Sequence, residues 1–426
     1  MGLLRMKSLA SSSVPMSKKS LEEELSRLIH TKSAPKDLYH NHSFCQPLFI
    51  AETLEQHDQF QIIVDKYLNE SKGKAKKLDQ YRQHVESILL NLSQSVVKRH
   101  WLLLSGNPRA FDNGRMLSFC GLTSFDHTHR FLRFLEESEL LQFKPGKLYE
   151  NEPVQNRYWS SNNLAAELAP FGLYAEGKFR PPYVRINTPD EIYEDFTFTP
   201  DHPDIVELTE INEFAKGHHW ACKAPIVQVF KRNPFYSGRL HTPFQNLPTR
   251  EFNIRKQTLI DGEQIIETDF NANHLRIFLA SNKEPCTVDD PYMELAELSG
   301  SSREQVKGFI NVALNSSSYK QAEGAALGEW QVSPRSSQSI YKAFQKRYPK
   351  LDLLCGYGTH AMAHEGMIMR NVLLQGVKDG VLALPIHDAI ATKTTNKNWA
   401  KETMSKCWRE WINQIDPKAK SKVKQD

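Results

Sequence analysis

Two aspartates stand in matched settings. Asp269 follows Ile265-Ile266-Glu267-Thr268, and Asp388 follows Leu382-Ala383-Leu384-Pro385-Ile386-His387. Each run is apolar enough to read as a buried strand. A strand that delivers a carboxylate to its tip suits a hard metal ion. Two such strands side by side would hold two divalent cations. One would sit on the attacking oxygen and one on the leaving oxygen of an in-line phosphoryl transfer. Asp at a strand end also serves ordinary turn chemistry, so the segments around the pair decide between the two readings.

Upstream of Asp269 lie Ser237-Gly238-Arg239-Leu240, then Gln245-Asn246-Leu247-Pro248, then Arg255. Leu259-Ile260, the dipeptide Asp261-Gly262 and Ile265-Ile266 read as a hairpin, because Asp-Gly favours a tight turn between twisted strands. Downstream, Arg303 and Lys307 are four apart and project from one helix face, where they would bind triphosphate oxygens. A solvated basic pair on an amphipathic helix has the same spacing. The last piece is Ile386-His387-Asp388-Ala389.

In this order the pieces resemble the family A nucleic-acid polymerases, the class of bacterial DNA polymerase I. The last piece is also similar to its counterpart in phage-type single-subunit RNA polymerases. The resemblance covers roughly the C-terminal half. It implies that Asp269 and Asp388 are the catalytic metal ligands, helped by the backbone carbonyl of Phe270. They would hold two magnesium ions, for which manganese substitutes. It implies that Arg303 and Lys307 grip the triphosphate, and it places His274 and Asn315 at the nucleotide. Arg239, Asn246 and His387 would line the primer–template. His364 and Glu365 would do so from the helix before the last piece.

The chain departs from the family where the sugar is sensed. His274 stands where DNA polymerase I has Glu, and Asn315 where the family has Tyr. Ala389 follows the second aspartate where Glu or Ser is common. The choice between deoxyribonucleotides and ribonucleotides is therefore open. The expected activity is that of a DNA-directed DNA polymerase. No D-x-E carboxylate pair is identifiable upstream, so no proofreading is expected. Such an enzyme fits a virus, plasmid or other mobile element. One rival reading is a primase or single-subunit RNA polymerase. Another is a DNA-binding replication or regulatory protein with a degenerate polymerase fold.

The 426 residues suggest two or three domains, and a 40% hydrophobic fraction suffices for their cores. The net charge of +4 permits nucleic-acid binding only through local basic surface. No apolar run has membrane-spanning length. The six cysteines are scattered without zinc spacing, which fits a reducing, cytoplasmic setting. The Ser-rich, basic start reads as disordered rather than as an organellar import signal. His360 and His364 lie one helical turn apart beside Glu365 but lack the HExxH order of a zinc site.

The fold class expected is α+β, with a right-hand polymerase palm and fingers after a mostly helical N-terminal half. Residues 1–18 read as disordered. Residues 19–97 read as a helical region whose hairpin would serve as a thumb or as plain packing, with one helix from about Leu48 to Leu68 and another through Leu78, Tyr81, Val85, Ile88 and Leu92. Residues 98–165 resemble a winged helix-turn-helix, with a Pro-Gly turn in its wing and Arg130, Arg133, Lys144 and Lys147 available to phosphates. Such modules also serve as protein-binding surfaces. Residues 166–235 read as a connector. Residues 236–426 would be the palm, with small fingers at about 285–355 and a frayed basic tail.

Overall fold

The computed structural model describes residues 15–31, 34–35, 42–51, 55–73, 77–113, 115–149, 152–187, 199–231, 233–284, 286–415 and 423–425. The fold is α+β. It divides into two compact units: Met1–Glu176 with Leu247–Thr258, and Gly177–Asn246 with Leu259–Asp426. No helix among the described residues is long and apolar enough to cross a membrane.

The first unit is built on the helix Leu78–Lys98, which buries Tyr81, Val85, Ile88 and Leu92. Beside it run Glu55–Ser71 and Asn162–Gly172. Gly172 is required there, because a side-chain carbon would stand 2.3 Å from the Ser93 carbonyl oxygen. A helix sunk this deeply also buries polar residues. Asn91 answers by bonding both the N–H and the carbonyl of Gln46, at 2.7 and 3.0 Å. A sheet carries His42–Phe44, Trp101–Leu104, Asn156–Ser160 and Leu141–Lys144 in that order, its first pair parallel and the others antiparallel.

Three expectations for this unit change. The helix expected from about Leu48 begins at Glu55, where Glu55 and Asp58 suit the positive helix start. Leu48–Phe49 is instead a strand. The helix Pro15–His30 begins before residue 19, and the expected disorder of residues 1–14 lies outside the described residues. Pro145-Gly146 is an interruption rather than a hairpin turn, since Lys144 pairs with Arg157 and Lys147 with Val154 across it. Proline has no N–H for the ladder. The helix Phe125–Glu137 exposes Arg130 and Arg133, but also Asp126, Glu136 and Glu137. Its outer face is therefore of mixed charge. Lys144 lies over the Trp101 ring.

Among its described residues the second unit carries two sheets. Val184–Asn187, Val227–Lys231 and Asn233–His241 form one. With the helix Pro203–Lys216, they show that the expected connector is regular structure. The buried Leu208, Ile211 and Ala215 of that helix lie at three- and four-residue steps, a short period that the surrounding Pro- and Asp-rich composition hid. In the other sheet Leu259–Ile260, Glu263–Phe270, Ala389–Lys393 and Leu384–Ile386 are neighbours in that order. The Asp261-Gly262 turn forms as expected, with φ of 47° and 83°. The tail is not wholly frayed: Val423–Gln425 pairs with Thr268–Phe270. Between Asn273–Ser281 and the 22-residue helix Gly358–Asp379 lies a cluster of helices, Pro291–Ser299, Arg303–Ala313, Tyr319–Trp330 and Pro334–Arg347. They close on a core that includes Leu279, Phe309, Phe344 and Tyr348.

Candidate active site

The strand Glu263–Phe270 runs antiparallel to Ala389–Lys393, and its register sets Asp269 opposite Ala389. Asp388 is the residue just before Ala389, in the two-residue connection of the hairpin Leu384–Ile386/Ala389–Lys393. The Phe270 N–H donates to the Asp388 carbonyl at 3.4 Å. Both aspartates therefore sit at the same end of adjacent strands, anchored by the buried Thr268, Phe270 and Ile390. The hairpin is tight enough to hold His387 at φ 56°, a left-handed conformation that a non-glycine residue adopts only where its surroundings enforce it. His387 itself is exposed.

Burial pushes the Asp388 carboxyl up to about 7, and the neighbouring charges of Asp269 and Glu365 add to it. Crowded negative charge of this kind is what a divalent cation relieves. Among the described residues no three His, Cys, Asp or Glu side chains form a metal-binding group.

Glu365 organises the next layer. It is 1% exposed and lies on the helix Gly358–Asp379. Arg239 reaches it with Nε at 2.7 Å and Nη2 at 3.4 Å. His274 Nε2 lies 2.7 Å from its second oxygen, and Asn273 Nδ2 at 3.5 Å. Trp408 donates to Asn273 in turn, at 3.0 Å. Burial alone would raise the Glu365 carboxyl, but the His274 and Arg239 charges and hydrogen bonds hold it down at about 2. His241 is pushed down to about 4 by burial, then by His387 and Arg239.

Arg303 approaches from the helical cluster. Its Nε meets Asp290 at 2.7 Å and its Nη2 meets Asn271 at 3.1 Å, two residues beyond Asp269. Ser302 and Gln305 form a capping box at this helix start. Lys307 lies one turn further on and is half-buried. Burial raises the Tyr292 phenol, and the nearby Asp388 carboxylate raises it further. Its hydroxyl donates to Asn311 Oδ1 at 3.1 Å.

Contacts and register thus bring Asp269, Phe270, Asp388, Arg239, His274, Glu365 and Arg303 into one neighbourhood. Other expected residues are placed differently. Asn315 is exposed, bonds the Asn311 carbonyl at 2.9 Å and lies over Gly358. Asn246 is exposed at the end of the short turn Pro243–Asn246. His364 turns to Trp411, whose Nε1 donates to Nδ1 at 3.1 Å, while His360 lies against Tyr236 and Tyr357. Asp290, Asn271, Asn273 and Tyr292 were missed from sequence. Asp290-Pro291 is legible as a helix start, but not as the partner of Arg303. No protein-family model matches the chain, and no curated protein matches it.

Proposed function

We propose that the chain is a template-directed nucleotidyltransferase of the family A polymerase type, most simply a DNA-directed DNA polymerase. The observation that carries this reading is the register that sets Asp269 beside Asp388 at the ends of two antiparallel strands. In this reading the sheet around them is the palm and the helices from Pro291 to Arg347 are the fingers. Residues 98–165 serve as a winged-helix accessory module. Asp269 and Asp388 hold two magnesium ions, with the Phe270 carbonyl as a further donor. When bound, magnesium supplies the Lewis acidity that activates a primer 3′-hydroxyl and neutralises the leaving pyrophosphate. Arg303 and Lys307 bind triphosphate oxygens. Arg239 faces the primer terminus, fixed in direction by Glu365, and His274 borders the sugar.

The test is extension of a labelled primer on a DNA template with magnesium or manganese, offering deoxyribonucleotides and ribonucleotides in parallel. Templated growth that is lost in Asp388→Ala supports the reading. Nucleic-acid binding without growth under any of these conditions would move the assignment to a binding protein with a degenerate fold. A primase or RNA polymerase is the second reading. It is favoured by His274, which occupies the sugar-sensing position and is tied to Glu365. Growth with ribonucleotides, or synthesis begun without a primer, would select it.

A further inference from the structure

Arg239 lies in Asn233–His241, and the pairing of that strand skips a residue beside it. Val229 stands opposite Arg239 and Phe230 opposite Ser237, so Gly238 is an extra residue outside the ladder register. Ser237 and Gly238 have φ of 67° and 76°. This is a bulge, which bends a strand and re-aims the side chain next to it. A left-handed serine is strained and persists only where its surroundings over-determine it.

The surroundings are specific. A side-chain carbon on Gly238 would stand 2.5 Å from the Phe230 ring, and one on Gly366 would stand 1.9 Å from the Gly238 carbonyl oxygen. The helix bearing Glu365 therefore presses directly on the bulge. Gln228 Nε2 donates to that same carbonyl at 2.9 Å. Gln228 is 0% exposed, and its Oε1 accepts from Arg370 Nη1 at 3.0 Å. Arg370 is itself ion-paired with Asp204 and Glu207, each at 2.7 Å. A buried amide with both ends engaged has one orientation available.

We propose that Gln228 is a positioning residue for Arg239. It acts through the Gly238 carbonyl, fixing the bulge so that the guanidinium fork meets Glu365 beside the two aspartates. The functional consequence rests on the polymerase reading; the geometry does not.

Gln228→Glu tests it, because it keeps the side-chain shape and an acceptor for Arg370 but removes the N–H toward Gly238. A crystal structure of the variant should show the Arg239 fork out of hydrogen-bonding distance of Glu365, with the fold intact. Its turnover number should fall about tenfold, the equivalent of one hydrogen bond, with KM for the nucleotide little changed. In an Arg239→Ala background the same substitution should add nothing, since residues acting as one unit are not additive. An undisturbed Arg239 fork, or losses that multiply in the double variant, would overturn the proposal. Should the wild type incorporate no nucleotide, the polymerase reading fails, yet the crystal structure still decides the role of Gln228. If Gln228→Glu does not fold, Gln228→Met, of similar volume, is read out in the same two ways. Failure of both to fold would assign Gln228 to the core rather than to Arg239, and so overturn the proposal.

Discussion

Two long helices, one in each unit, bury a titratable side chain, and they settle it in opposite ways. His84 in Leu78–Lys98 is 0% exposed. Its Nε2 accepts from the Thr123 N–H at 3.3 Å, so Nδ1 carries the proton and donates to Thr128 Oγ1 at 2.8 Å. Burial pushes the imidazole down to about 4, and the neighbouring His127 pushes the same way. The ring is neutral, both nitrogens are satisfied, and every partner is uncharged. Glu365 in Gly358–Asp379 is almost as buried but keeps its charge, because Arg239 and His274 converge on it. A neutral, closed network costs little and leads nowhere. A charged one needs fixed partners, and Arg239 and His274 are partly exposed beside the two aspartates. The contrast separates packing from chemistry without appeal to either residue's type.

The largest effect should come from breaking the charged network. Glu365→Ala leaves Arg239 and His274 without their carboxylate, and removing one partner of a buried ion pair costs about 3–5 kcal/mol. Glu365→Gln keeps the shape and one acceptor, and should cost about half as much. Denaturant unfolding measures both. Primer extension should fall in the two variants alike, because both release the Arg239 fork. A Glu365→Ala protein as stable as wild type would mean that the network is no deeper than a surface pair.

The two networks should also part company in acid, and the signs follow from the direction of each shift. His84 is depressed to about 4 from an ordinary 6.5, so the unfolded chain takes up its proton first. Stability of that unit is full above pH 6.5 and falls on acidification toward pH 4, by about 3 kcal/mol at most. Glu365 is depressed to about 2 from 4.5, so its contribution is full above pH 4.5, falls progressively below it and is gone once pH has passed below about 2. Hydrogen-exchange protection in Leu78–Lys98 should therefore weaken between pH 6.5 and 4, a range over which the second unit carries its own depressed histidine, His241. His84→Gln should flatten the profile between pH 6.5 and 4. A profile left unchanged by that substitution would remove His84 as its cause.

What was legible in the sequence follows the range over which each feature is determined. The Asp261-Gly262 hairpin and the helices through Tyr81 and Arg303 are written in adjacent residues, and all three form. The pairing of Asp269 with the Asp388 hairpin needed the spacing of several motifs. Glu365 was visible only as one acidic residue beside a histidine. Its partners lie more than 90 positions away, so no local pattern announces them. Asn315 shows the opposite failure. It was read onto the nucleotide, but it falls in the turn after Arg303–Ala313, where its side chain bonds the Asn311 carbonyl and lies over Gly358. The Gly238 bulge was hidden because one skipped residue in a strand leaves no compositional trace. Val423–Gln425 was read as tail because three residues show no alternation.

The smallest test compares two helix caps of the same type. Ser124 accepts from the His127 N–H at the start of Phe125–Glu137, and Ser302 accepts from the Gln305 N–H at the start of Arg303–Ala313. Replacing either by alanine removes one such bond and should cost about 1 kcal/mol, a shift of a few degrees in melting temperature. Stability alone does not distinguish them. The Ser302 helix start carries Arg303, whose reach to Asp290 and Asn271 depends on that first turn. Ser302→Ala should therefore raise KM for the nucleotide by severalfold at a temperature where both variants are fully folded. Ser124→Ala should leave it unchanged, since its helix presents a mixed-charge face and no group of the candidate site. Equal changes in KM would show that the cap acts through stability, and Arg303 would lose its place among the nucleotide contacts.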